Sequence, residues 1–103
     1  MVVATTPTFI CRIPQSSEID LTQAEHICFT LSQGSAVVDK YETDLTIEAK
    51  SITATLTQAE SLRFQPDLDA EIQFNYTYSD GSRGATKPKK IKVEKNLHMA
   101  VIS

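Results

Sequence analysis

The stretch Asp44–Phe64, DLTIEAKSITATLTQAESLRF, decides how this sequence is interpreted. Apolar and polar residues alternate through its first half, with the apolar set at Leu45, Ile47, Ile52, Ala54 and Leu56. A period of two with β-branched residues on both faces is typical of half-buried antiparallel strands. We therefore predict a hairpin across residues 44–56. Its turn, Glu48-Ala49-Lys50, contains neither Gly nor Asn, the residues that tight hairpin turns favour.

The second half of the stretch predicts one short helix. Thr57-Gln58-Ala59-Glu60 has the spacing of a capping box, in which the first and fourth side chains satisfy each other's backbone amides. Pro66 follows closely and disfavours helix at the residue before it, so the helix must be short. We expect Leu62 and Phe64 to fasten this helical turn to the core.

Periodicity predicts further strands on both sides of this stretch. The same alternation occurs in five other segments, which are residues 8–13, 27–32, 36–41, 71–78 and 89–94. Gln33-Gly34-Ser35 and Asp80-Gly81 are expected to be turns, because Gly supplies the positive φ that tight hairpins need. Arg83–Pro88 is interpreted as an irregular lead-in to the last strand.

These elements together predict the fold class. About seven short strands, turn signals about every 8–12 residues and one short helical turn indicate an all-β fold, a single immunoglobulin-like antiparallel β-sandwich. The Cys…Trp…Cys spacing of antibody domains is absent, so the interpretation concerns architecture and not ancestry. At 103 residues the chain is one domain. We divide it into an N-terminal arm (1–7), the β-sandwich domain (8–95) and a C-terminal apolar tail (96–103).

One pentapeptide, LTQAE, occurs twice, at Leu21–Glu25 and at Leu56–Glu60. The residues that follow differ, so we do not interpret the repeat as a duplicated unit. Periodicity predicts that the residues after Gln23 join a strand in the first copy, and that the corresponding residues of the second copy join a helical turn. The same five residues are therefore predicted to adopt two local structures, as tertiary context allows.

Charge is distributed unevenly along the chain. The sequence has 13 acidic and 10 basic residues and a net charge of −3, which gives no global argument for nucleic acid. Residues 1–79 hold eleven acids and four bases, whereas residues 80–103 hold six bases and two acids. This asymmetry favours contact with a neighbouring copy or an acidic partner. The alternative is that the lysines only solubilise an edge strand and block edge-to-edge pairing.

No catalytic, cofactor-binding or metal-binding pattern is present. His26 and His98 stand alone, whereas a zinc site needs three or four ligands at workable spacing. Cys11 and Cys28 lack motif spacing and are interpreted as buried free thiols of a protein made in a reducing cytoplasm, with a disulfide between them as the alternative. No run is long enough to span a bilayer, and the first residues lack the features of a secretory signal.

Several short motifs carry a resemblance that covers residues 6–102. The chain resembles a group of small phage and prophage proteins from Gram-positive, clostridia-type hosts. The motifs are Thr6-Pro7-Thr8-Phe9, Thr30-Leu31-Ser32-Gln33-Gly34, Asp44-Leu45-Thr46-Ile47-Glu48, Leu56-Thr57-Gln58-Ala59-Glu60 with Leu62 and Phe64, Ala70-Glu71-Ile72-Gln73, Asp80-Gly81 and Val101-Ile102. The sequence departs from the pattern at Ala49-Lys50 and in the lysine-rich segment Lys87–Lys95.

This resemblance implies a non-enzymatic virion structural protein with a β-sandwich fold, made in the host cytoplasm and located in the virion. We expect a capsid decoration or head-fibre base protein. The alternatives are a neck or baseplate (tail) subunit, a module that binds glycans or the host surface, and an inhibitor that adds its edge strand to a target sheet. The expected partners are other virion proteins and further copies of the chain, with no nucleic acid and no membrane.

The expected contact surface combines the basic segment and the apolar tail. Lysine and arginine can pair with an acidic neighbour, and terminal apolar segments add contact area to a small domain when they order on binding. The residues predicted to contact partners are Arg83, Lys87, Lys89, Lys90, Lys92, Leu97, Met99, Val101 and Ile102.

Overall fold

The computed structural model describes residues 1–97, and in it the chain forms two antiparallel β-sheets around one core. The strands are β1 Thr8–Arg12, β2 His26–Gln33, β3 Ala36–Tyr41, β4 Thr46–Glu48, β5 Ser51–Thr55, β6 Asp69–Thr77, β7 Arg83–Ala85 and β8 Lys89–Lys92. One helix, α1, spans Gln58–Ser61, and two 3-10 turns span Leu21–Gln23 and Glu42–Asp44. The sheet orders are β1-β5-β4 and β3-β2-β6, with β7 and β8 both on the outer edge of β6.

These orders confirm the predicted immunoglobulin-like sandwich. The sheet β1-β5-β4 corresponds to strands B, E and D of that fold, and β3-β2-β6 with β7 and β8 corresponds to C′, C, F and G. The short helix lies in the connection between E and F. The described residues form eight strands instead of about seven, because the last strand is broken in two.

An aromatic cluster joins the two sheets at the centre of the core. Phe29 of β2 is fully buried, and its ring centroid lies 5.6 Å from that of Phe9 on β1 and 5.2 Å from that of Phe74 on β6. In antibody domains the corresponding strands B, C and F carry a disulfide that packs against a Trp. In this chain the same three strands are joined by ring contacts among three phenylalanines.

The β4–β5 hairpin is confirmed, with Glu48 opposite Ser51 and a turn made by Ala49 and Lys50. Neither turn residue has positive φ. The connection before β2 holds this turn in place. The Lys50 ammonium donates to the carbonyl oxygens of Ser17, at 2.6 Å, and Ile19. Backbone bonds of 3.0 Å join Ala49 and Lys50 to Leu21 and Ile13. Tertiary contacts thus replace the usual turn glycine.

The capping box of α1 is also confirmed. The Glu60 amide donates to the Thr57 hydroxyl at 3.1 Å, and the Thr57 amide donates to the Glu60 carboxylate at 2.9 Å. Phe64 is buried as predicted, but Leu62 is only partly buried. The fully buried position is Ser61, because the backbone of the N-terminal segment packs against the helix there and leaves room only for a small side chain.

Residues 1–7, set apart above as an arm, pack against their own domain. Val3 has no exposed surface, and Val2 forms an isolated parallel bridge with Glu94. The Glu94 amide donates to the Met1 carbonyl at 2.7 Å, and the Val3 amide donates to the Glu94 carbonyl at 3.1 Å. The Thr5 amide donates to the Ser61 hydroxyl at 3.2 Å. This segment therefore covers the edge of the sheet just beyond β8.

The irregular segment predicted at Arg83–Pro88 is wrong in its first half, where β7 pairs with the end of β6. A glycine-containing triplet has no alternation, so periodicity misses it. The ladder breaks after Ala85. There the Thr86 hydroxyl accepts the Phe74 amide at 3.0 Å, and the Thr86 amide donates to the Phe74 carbonyl at 2.9 Å. Pro88, which has no amide hydrogen, follows before β8 resumes the pairing.

The two LTQAE copies do adopt different structures. Leu21 begins a 3-10 turn capped by Asp20, and β2 starts at His26. Leu56 directly follows β5 and precedes Thr57, the N-cap residue of α1. Both leucines are buried. Each copy therefore contributes a buried leucine to the core, and the flanking residues determine the secondary structure that the pentapeptide adopts.

Candidate interaction surface

The predicted basic residues lie together on one exposed edge of the five-stranded sheet. Arg83 is on β7, Lys87 is in the break, and Lys89, Lys90 and Lys92 are on β8, and all five are exposed. Of the predicted apolar contacts, Leu97 is 95% exposed. Met99, Val101 and Ile102, and also His98, lie outside the described residues.

A sixth cation joins this surface from the other sheet. The edge strand β1 lies beside the break between β7 and β8, and residues of β1, β6, this break and the start of β8 line a groove of about 200 Å³. Apolar atoms of Cys11, Ile72 and Phe74 contribute to its lining, as do the cationic side chains of Arg12, Lys87 and Lys89. We call the six residues Arg12, Arg83, Lys87, Lys89, Lys90 and Lys92 the basic edge. Sequence reasoning missed Arg12, because only the sheet topology brings it to this side.

The cations of the basic edge form no close ion pairs in the described part of the chain, but four of the six have acids nearby. Within the described residues none of the six forms an ion pair within 4.0 Å. Lys90 lies opposite Glu71 and Lys92 lies opposite Asp69 in the β6–β8 register, so these two have acids nearby. Lys89 instead lies opposite Ile72, on the core side of the sheet. Arg12 shares a pocket with Glu48, and Arg83 shares one with Glu42. Lys87 and Lys89 are therefore the two cations of the basic edge that have no acid opposite them or in the same pocket.

The opposite side of the sandwich is acidic. There β3 and β4 are the edge strands, and the 3-10 turn Glu42–Asp44 joins them. We call Asp39, Glu42, Asp44 and Glu48 the acidic edge. The one base in residues 36–48, Lys40, faces the core side and lies 2.9 Å from the Glu60 carboxylate. Its side chain is 13% exposed, so it adds little positive charge to this surface.

Lys40 is a second residue that sequence reasoning missed. It shares a parity with Ala36 and the buried Val38, so the alternation itself places it on the core face. A charge at such a position of an edge strand is a known device against edge-to-edge pairing. The signal was therefore available, but its partner Glu60, twenty positions later, could be identified only from the structure.

One acidic-edge carboxylate is fixed by a histidine. Glu42 Oε1 lies 2.9 Å from His26 Nδ1, and Glu42 Oε2 accepts the Ile27 amide at 3.3 Å. The hydrogen bond and the charge of Glu42 raise the pKa of His26. The same hydrogen bond, together with backbone amides, lowers the pKa of Glu42. The pKa shift therefore favours the ionised form of Glu42.

The remaining polar groups do not assemble a reactive centre in the described part of the chain. Cys11 and Cys28 are free thiols, and burial raises the pKa of each, which disfavours the nucleophilic thiolate. Residues 1–97 contain no group of three His, Cys, Asp or Glu side chains placed to hold a metal ion. Through residue 97, no helix combines the length and apolar character that crossing a membrane requires.

Comparisons with protein-family models, with curated proteins and with solved structures returned no match for this chain. The functional interpretation therefore depends on the surface of the domain itself. The feature that distinguishes this surface is the pair of oppositely charged edges.

Proposed function

We propose that this protein is a non-enzymatic structural subunit of a bacteriophage particle, present in many copies and joined to its neighbours through the basic edge. The observation that carries the proposal is the basic edge itself. Six exposed cations lie along one side of a small sandwich, and none is paired with another described residue. The sequence resemblance to phage and prophage proteins supplies the biological setting.

Charge of this kind suits assembly. A patch of one sign steers a complementary surface to it and fixes the orientation of the contact, while contributing less to raw affinity. Reversible contacts of that type allow a small subunit to join a particle that has already formed. We place the subunit on the capsid exterior, as a decoration or head-fibre base protein, and a neck or baseplate position is the alternative within the same role.

The aromatic residues favour this role over glycan binding. Sugar-binding surfaces depend on exposed aromatic faces, and the chain has seven aromatic residues, all within the described range. Of these only Tyr41 is among the exposed large hydrophobic residues, at 56%. A single exposed ring does not form a platform, so contact with other virion proteins accounts for more of the surface.

The test is the composition of purified particles. Mass spectrometry of virions banded in a density gradient should detect the 11.4 kDa chain at many copies per particle. A variant with Lys87→Glu and Lys89→Glu should be depleted from particles. A control with Arg63→Glu and Lys95→Glu, which changes net charge equally at exposed sites outside the basic edge, should be retained. Particles that lack the wild-type chain would exclude the proposed function.

A further inference from the structure

We infer that the basic edge of one copy binds the acidic edge of a second copy, so that copies associate side by side in a single direction. This inference deepens the proposed function and rests on it for its biological setting. It identifies both the partner, another copy of this chain, and the surface that the partner presents.

The topology places the two edges on opposite sides of the sandwich. β1 ends the three-stranded sheet on the side where β7 and β8 end the five-stranded sheet, as their shared groove shows. β4 and β3 are the other two edge strands, and the four residues 42–45 connect them. Each side therefore presents the terminal strands of both sheets, and the groove with Lys87 and Lys89 lies on the side opposite β3 and β4.

The edge strands that carry the groove hold cations without acids, whereas Arg12 and Arg83 lie at the margins of the basic edge and share pockets with Glu48 and Glu42. Thr8–Arg12 and Arg83–Lys92 contain no acidic residue, and residues 36–48 contain one base, which is occupied by Glu60. Two basic edges repel each other, and so do two acidic edges. A symmetric dimer through either edge is therefore disfavoured, which is how like charges exclude wrong pairings. Contact between unlike edges is heterologous, and such contacts build rings or open filaments.

The apolar surfaces of the two edges are also complementary. The basic side offers the groove lined by Cys11, Ile72 and Phe74. On the acidic side, β3 exposes Tyr41 and Val37 on the same face as Asp39. Aromatic residues are enriched at the centres of interfaces, where they fill a pocket surrounded by polar contacts. In the proposed contact, Tyr41 or Val37 of one copy packs at the groove of the next copy. The carboxylates of the acidic edge then surround the lysines of the basic edge.

The contact is made through side chains and not by extending a sheet. Residues 1–3 already pair with Glu94 beyond the end of β8. Pro88 interrupts the rest of that edge, and lysines on an edge strand block continuous pairing. The association should therefore weaken strongly with salt, because screening shortens the range of exposed charges to about 10 Å at 0.1 M ionic strength.

Sedimentation velocity on purified full-length protein tests the inference. The wild type should show concentration-dependent association at low ionic strength. The basic-edge variant Lys87→Glu/Lys89→Glu replaces the two groove lysines with acids, and the acidic-edge variant Asp44→Lys/Glu48→Lys replaces two of the four acidic-edge carboxylates with bases. Each alone should associate about tenfold or more weakly than the wild type. An equal mixture of the two should recover association, because every contact is again between unlike edges.

The control Arg63→Glu/Lys95→Glu has the same net charge as the basic-edge variant and should associate like the wild type. Circular dichroism of each variant shows that it is folded. A wild type that stays monomeric at low salt, or a mixture that remains as monomeric as its components, overturns the inference. So does binding of duplex DNA that the basic-edge variant loses without any self-association. Detection in purified particles is an independent result, so either proposal can fail while the other stands.

Discussion

Replacing Glu60 tests how the α1 turn is attached to the edge strand β3. Its carboxylate accepts the Thr57 amide and lies 2.9 Å from the Lys40 ammonium, and the Glu60 and Lys40 side chains are only 21% and 13% exposed. Glu60→Gln keeps a side chain that can complete the capping box but removes the charge. We expect a loss of about 1–2 kcal/mol in unfolding free energy, between the values for exposed ion pairs and for hydrogen bonds to buried charges. Glu60→Ala should cost about 0.5–1 kcal/mol more, because the cap is also lost.

A double-mutant cycle isolates the interaction energy between Lys40 and Glu60. Lys40 lies opposite Phe29 on the core side, so Met in its place can pack there without a charge. The variant with both Lys40→Met and Glu60→Gln should be nearly as stable as the wild type, because apolar replacements of partly buried pairs are often neutral. The coupling energy should be about 1 kcal/mol or more. Urea unfolding followed by far-UV circular dichroism measures it, since the chain has no Trp, and the m-value should not change.

The contribution of the Lys40–Glu60 pair to the unfolding free energy should also depend on pH in a defined direction. Partial burial acts to raise the pKa of Glu60, but the Thr57 amide and Lys40 outweigh it, so the pKa of Glu60 lies below its ordinary value. The stabilisation is therefore present above the unfolded carboxyl pKa of about 4.3 and is lost as pH falls through the lower folded value. A coupling energy under about 0.3 kcal/mol at neutral pH, or one that persists in strong acid, would refute the reasoning.

Three further predictions concern other parts of the domain. In Gly84→Ala the new Cβ would lie 2.3 Å from the Tyr76 ring, so the ring must move and stability should fall by about 1–3 kcal/mol; an unchanged melting temperature contradicts this. Ser61→Ala removes the hydroxyl that bonds the N-terminal segment and should cost about 1–3 kcal/mol, with faster amide hydrogen exchange in residues 1–7; unchanged exchange there contradicts it. The pKa of His26, followed by NMR, should exceed its ordinary value of 6.5 and should fall in Glu42→Gln, because the carboxylate stabilises the charged ring. The stability that this pair contributes is present below the unfolded pKa and is lost as pH rises through the higher folded value, and an unaltered titration in Glu42→Gln would sink this account.

Alternation was sufficient to locate most of the fold. Ile27, Phe29 and Leu31 are buried on one face of β2, as their parity indicates. Where alternation is absent, the sequence gives no such signal. β7 is three residues long and includes a glycine covered by the Tyr76 ring, which local pattern cannot reveal.

The candidate surface was only partly predictable for a different reason. Five of its six cations lie within the ten residues Arg83–Lys92, so the local composition was enough to identify them as one basic segment. Arg12 lies far away in sequence and joins them only because β1 ends the facing sheet. The acidic edge likewise needs the topology, since its carboxylates are unremarkable in the linear chain. The proposed contact surface comes from the geometry of the basic edge, and its phage setting comes from the sequence resemblance.

The turn between β4 and β5 has a consequence for how this protein folds. Its stability depends on Lys50 reaching carbonyl oxygens more than thirty residues earlier in the chain. An isolated two-stranded hairpin is marginal in water, and this one also lacks the residues that would close it locally. The segment should therefore remain unstructured as a free peptide. The hairpin becomes ordered only after a long loop has closed. The stretch whose structure is easiest to predict from sequence therefore forms among the slower, non-local events of folding.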